Sequence, residues 1–280
     1  MKKSSLSLNS GFQKLLYSAI AIAVLAVVVS SCSKDDDYDT NTPPVVTPVA
    51  NQFKAAGDSA AIIATINQFR SVLGDSLNVV PNKTSGRREV NWDGVPANLT
   101  NNGNFPFDFF NSTDPAVGNG RKRGLVYINT GTSFRVDSTD FSEIEPTYGA
   151  NFDAFSKKRV FAYLGNNVSE ISFKVPGTNT DAFVKGFGLI FSDVDDPNST
   201  TLEFFNGTKS LGVFKAPVRT AAGGFSFLGV HFPGEKVTKV KITAGNSILA
   251  PGVKDVTDNG TKDLVVMDDF FYSEPLANNQ

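Results

Sequence analysis

Residues 236–245 read "KVTKVKITAG", and their pattern decides the fold class. Val237, Val240 and Ile242 alternate with lysines, apart from one Thr-Lys step, which is the period of a strand with one buried face and one wet face. Working outward, "FNGTKSLGVF" (205–214) predicts a hairpin, because Asn206-Gly207 is a strong tight-turn dipeptide between two β-prone runs. "GFGLIFSDV" (186–194), "GFSFLGVHFPG" (224–234) and "DLVVMDDFFYS" (263–273) are apolar with little alternation. About nine such runs, cut by Asn, Gly, Pro and Asp and with no helical period between them, predict a mainly β fold. The expected architecture is an antiparallel β-sandwich, jelly-roll-like, over residues 86–275.

One short amphipathic helix precedes it. Ile62, Ile66, Phe69 and Leu73 are spaced four, three and four, with Asp58 as N-cap and Gly74 just past the end. A single short helix cannot bury its stripe alone, so it is expected to dock on the following domain. The chain therefore divides into residues 1–31, an acidic and Pro-rich tether at 32–50, an N-terminal helical segment at 51–85 and the β domain at 86–275.

Composition bounds the function. Residues 1–31 contain three lysines and no acid, so the remainder carries 23 basic against 28 acidic residues. No basic patch is visible, which argues against a nucleic-acid partner. Of the 31 aromatic residues 24 are Phe, which supplies apolar area without a polar handle and so favours a packed core over an aromatic-lined groove. One Cys and one His exclude a zinc site built from those residues.

The first 31 residues have the form of a secretory signal peptide, with Lys2, Lys3 and Lys14, a 15-residue apolar run from Leu15 to Val29, and small residues before Cys32. The run is short of the roughly 20 residues a membrane span needs. "VSSC" (29–32) resembles the lipobox of bacterial lipoproteins, which implies that Cys32 is acylated and holds the chain on a membrane. "SKDDD" (33–37) resembles the export signal of Bacteroidota lipoproteins, which implies display on the cell surface through Lys34, Asp35, Asp36 and Asp37. The periplasmic face of the outer membrane is the alternative.

"GRREVNWDGVP", "VPGTNT", "GFGLIFSDVD", "LEFF", "FSFLGVHF" and "VVMDDFFYSEP" together resemble an uncharacterised family of secreted bacterial β-proteins, over roughly residues 86–275. "VVMDDFFY" also resembles the last strand of galactose-binding-like jelly rolls such as carbohydrate-binding modules. That resemblance implies a non-catalytic binding module for glycan or protein. A structural or accessory surface component and a carboxylate-based hydrolase are the alternatives.

Few residues carry chemistry. His231 is the only candidate base, and no GxSxG-like nucleophile setting accompanies it. Asp268 and Asp269 adjoin in a predicted strand, where neighbours point to opposite faces: one should share a face with Leu264, Val266, Phe270 and Tyr272, the other with Val265, Met267 and Phe271. Whichever points inward needs partners, from loop amides or from a calcium ion. "DVDDPNS" (193–199) offers Asp193 and Asp195, and "NWDGVP" offers Asp93. The calcium candidates are thus Asp93, Asp193, Asp195, Asp268 and Asp269. Trp92 is the candidate for stacking on a sugar ring, with a core position as the alternative.

Overall fold

The structure, a computed structural model, describes residues 48–128 and 133–278. Cys32, the Lys34–Asp37 signal and most of the tether lie outside the described residues. Among those described, no helix is long and apolar enough to cross a membrane.

The fold is mainly β: fourteen strands in two antiparallel sheets, with two helices. In chain order they are β1 (Asn51–Gly57), α1 (Ser59–Leu73), β2 (Arg87–Val90), β3 (Leu125–Tyr127), β4 (Ser133–Asp137), α2 (Tyr148–Asn151), β5 (Val160–Leu164), β6 (Val168–Lys174), β7 (Asp181–Phe183), β8 (Gly186–Ser192), β9 (Thr201–Asn206), β10 (Lys209–Lys215), β11 (Phe225–His231), β12 (Lys239–Thr243), β13 (Val266–Ser273) and β14 (Leu276–Ala277). One sheet runs β1-β11-β8-β13-β5-β4, with β2 also on β13. The other runs β10-β9-β12-β6-β7-β14, with β3 on β6. Taken in chain order, β5, β6, β8, β9, β10, β11, β12 and β13 cross from sheet to sheet at every step except the β9–β10 hairpin, so that β5-β13-β8-β11 faces β6-β12-β9-β10. That is the double Greek key of a jelly roll.

Phe187, Leu189, Phe191, Phe270 and Tyr272 from the first sheet meet Ile171, Phe173, Leu202, Phe204, Val240 and Ile242 from the second in one continuous core. β6 and β12 alternate buried and half-buried along their length, as the sequence pattern requires. The β9–β10 hairpin forms as expected, but Gly207 and Thr208 make the turn while Asn206 still pairs with Lys209. Gly207 supplies the positive φ of 60° that the turn demands.

The first sheet is covered on its outer face as well. Asp58 accepts a hydrogen bond from the Ala61 amide at 2.8 Å, and α1 lays Ile62, Ile66, Phe69 and Leu73 against Ile190, Phe225, Phe227 and Phe271. The paired glycines Gly188 and Gly229 make the notch for this helix: a Cβ on either would lie within 2.9 Å of the Phe69 ring. The segment through α2 covers the rest of that face, packing Phe141, Tyr148 and Phe152 on Val160, Leu264 and Val266. A strand also precedes the helix. Residues 51–57, which carry no strand pattern of their own, pair with β11 from Asn51↔His231 to Gly57↔Phe225 and form the sheet edge.

Candidate functional site

The site begins at a bulge in β13. Met267 pairs with Phe191, but Phe270 pairs with Leu189, so β13 makes three steps where β8 makes two. The extra residue shifts the alternation. Val265, Met267, Phe270 and Tyr272 all face the core between the sheets, while Leu264, Val266 and Phe271 face outward. The expectation that Asp268 and Asp269 point to opposite faces is corrected: the two carboxyls lie close enough for each to act on the other.

Loop groups satisfy Asp268. Its Oδ2 accepts from the amides of Phe155 (2.6 Å) and Ser156 (3.3 Å), and its Oδ1 from the Ser156 hydroxyl (3.2 Å). Asp269 has less. Its Oδ1 is buried with no hydrogen-bond partner among the described residues. Burial, and then the charge of Asp268, push the Asp269 carboxyl upward.

Asp269 lines a cavity of about 360 Å³ on the β2 side of the covered sheet, together with Leu77, Val79, Asn91, Phe109, Arg121 and Arg123. A buried ion pair holds the segment that carries Leu77 and Val79 in place. Arg88 and Glu274, almost fully enclosed, bond at 2.7 and 2.8 Å. Glu274 also takes the Asn78 amide at 2.8 Å, and Arg88 donates to the Val80 carbonyl at 2.9 Å, which fixes the chain on both sides of Val79. Leu77 and Val79 remain 45% and 52% exposed at the mouth.

The cations around the cavity differ in how they are neutralised. Glu89 receives Arg70 through two bonds (2.9 and 2.8 Å) and Arg87 at 2.8 Å. Burial alone would raise the Glu89 carboxyl, but these two arginines outweigh it and hold it below the usual range. Arg121 lies over the Phe109 ring, 4.4 Å from its centroid, and donates to the Phe109 carbonyl at 3.3 Å. Arg123 donates to the Asn78 carbonyl at 2.9 Å, and burial and then Arg88 favour loss of its charge, although Tyr272 opposes this. Neither Arg121 nor Arg123 has a carboxylate within ion-pair distance among the described residues.

The five calcium candidates do not converge. Asp193 and Asp195 come together with Asp255, which sequence reading missed, their carboxylate oxygens within 4.8 Å of one another. Arg219 already stands there as a cation, its Nε 2.7 Å from both Asp193 Oδ1 and Asp195 Oδ1. Burial first, and the neighbouring acids Asp255, Asp195 and Asp263, push Asp193 up to about 8 despite Arg219. Asp268 and Asp269 form their own pair, and Asp93 stands apart, with Lys158 and Arg159 acting on it. The signal for Asp255 was present in "KDVTDNGTKD" (254–263), where it caps a short helical turn by accepting from the Thr257 amide at 2.8 Å.

Trp92 is not a sugar platform. It is fully buried, stacks on Phe161 at 4.3 Å and donates its indole N–H to the Asp268 carbonyl at 3.1 Å. His231 ends β11 half-buried on the outer face, where burial and then Lys185 lower its pKa, and it makes no ion pair among the described residues. No protein-family model, curated protein or solved structure matches the chain.

Proposed function

We propose that this protein is a lipid-anchored binding module of the outer membrane, displayed on the cell surface and acting without catalysis on a glycan ligand. The observation that carries this reading is the cavity beside β2. Leu77, Val79 and Phe109 give it apolar walls, and Asn91, Arg121, Arg123 and Asp269 give it a few convergent polar groups, the usual make-up of a small-molecule site. Two facts favour binding over hydrolysis. Asp268 and Asp269 are adjacent residues whose carboxyls act on one another, whereas glycosidases hold their carboxyls roughly 5–9.5 Å apart across the bond they break. Glu89 is committed to Arg70 and Arg87 and is not free to serve as a base. Anchoring is supported by "VSSC" and surface display by "SKDDD".

The test is a glycan-array screen of the mature protein, with the Cys32 anchor replaced by Ser, followed by calorimetry on the hits. Binding that Arg121→Met weakens supports the reading; binding unchanged by substitutions around the cavity sinks it. For the anchor, Cys32→Ala should release the full chain from membranes. Asp35, Asp36 and Asp37 changed together to Ala should shield it from protease added to intact cells.

A further inference from the structure

Resting on that reading, the charges around the cavity narrow the ligand class. Glu89 is already matched by Arg70 and Arg87, so it leaves no free negative charge to repel an anion. Arg121 and Arg123 together bring two positive charges that no described acid pairs. The lining therefore has an excess of positive charge, which an anionic group on a ligand offsets.

Geometry supports the same conclusion. The Arg121 guanidinium is already held over Phe109, so its rotamer freedom is spent before a ligand arrives. Its planar fork suits a carboxylate better than a point charge would. The Asp269 Oδ1, buried and without a partner, is a standing cost that a ligand hydroxyl removes. The Phe109, Leu77 and Val79 walls suit the apolar edge of a sugar ring, and about 360 Å³ is at the small end of ligand pockets, fitting a chain end more than a polymer strand. We infer that the cavity takes an anionic sugar, a uronic acid unit, its carboxylate held by Arg121 and Arg123 and a hydroxyl by the Asp269 carboxyl.

The experiment is calorimetry or ligand-observed NMR on the mature protein with three probes of matched ring: galacturonate, galactose and galactose 6-sulfate. Galacturonate should bind at least tenfold more tightly than galactose and more tightly than the sulfate ester, and raising salt from 0.05 to 0.5 M should erode that preference. Arg121→Met, which keeps an apolar contact with Phe109 and loses the charge, should cut galacturonate affinity at least tenfold and galactose affinity much less. Its melting temperature, measured in parallel, separates lost binding from lost folding. Equal binding of galactose and galacturonate would overturn the uronate inference while leaving a glycan module. A preference for the sulfate ester would overturn the carboxylate assignment. Failure of all three probes overturns the inference, and the array screen then decides separately whether the glycan reading survives.

Discussion

The two sheets of this sandwich solve different problems. The β10-β9-β12-β6 sheet has one face in the core and one in water, where Lys239–Glu170 at 3.0 Å and Lys241–Glu203 at 3.8 Å lie across neighbouring strands. The β5-β13-β8-β11 sheet is covered on both faces, and every residue of β8 and β13 is buried. A strand buried on both sides has no solvent to receive polar groups. Each of its acids must therefore be capped, paired or protonated, and the unusual chemistry of the molecule gathers there. The difference teaches where to look: Asp193, Asp268, Asp269, Arg88 and Glu274 all belong to the covered sheet or its strand ends, while the open sheet shows ordinary surface ion pairs.

The largest expected effect comes from stripping the cover. Phe69→Ala removes the ring seated in the Gly188–Gly229 notch and should cost about 3–5 kcal/mol in urea unfolding. A loss below about 1 kcal/mol would mean that α1 is not integral to the covered sheet.

Next is the acid cluster at the end of β8. Arg219→Met takes the cation from Asp193, Asp195 and Asp255 and should cost about 3 kcal/mol, as removing one partner of a buried pair does. Because Arg219 fills that role, the melting temperature of the native protein should not respond to EDTA, whereas millimolar calcium should recover part of the Arg219→Met loss. A native protein that melts lower in EDTA would show a metal held beside Arg219.

A graded pH effect should follow. Asp193 is raised to about 8 and Asp269 is raised, against an unfolded value of about 4, so the folded state holds protons that the unfolded state has released. Their contribution is complete below about pH 4 and is lost as pH climbs toward and through 8. Melting temperature should therefore fall between pH 5 and pH 8.5, and Asp193→Asn together with Asp269→Asn should flatten that slope. An unchanged slope would mean that these carboxyls are ionised in the folded protein.

The smallest effect belongs to the open sheet. Lys241→Ala, at a half-exposed pair, should stay within about 0.5 kcal/mol of the parent. A larger loss would mean that this face is covered in solution.

How much of this was legible follows from the same division. β6 and β12 are readable from alternation alone because water on one side imposes a period of two. β8, β11 and β13 are readable as strands from their apolar runs but not by face, since both sides want the same residues. The bulge at Asp268–Asp269 therefore could not be placed: it exists only relative to β8. Trp92 reads more readily as core than as a platform, and the stacked Phe161 ring places it there. The cavity was invisible because its walls come from residues 77–79, β2, residues 109–123 and β13, which no spacing connects.

The sequence by itself determined the mainly β architecture and the helix with Asp58 and Gly74 at its ends, since each is written in local period or capping. Tertiary structure alone decided that residues 51–57 become an edge strand, that Asp255 joins Asp193 and Asp195, and that Asp269 faces a cavity beside two unpaired arginines. Those outcomes depend on which distant segments share a dielectric environment, and burial, not residue type, sets the cost of leaving a charge or a hydrogen-bonding group alone.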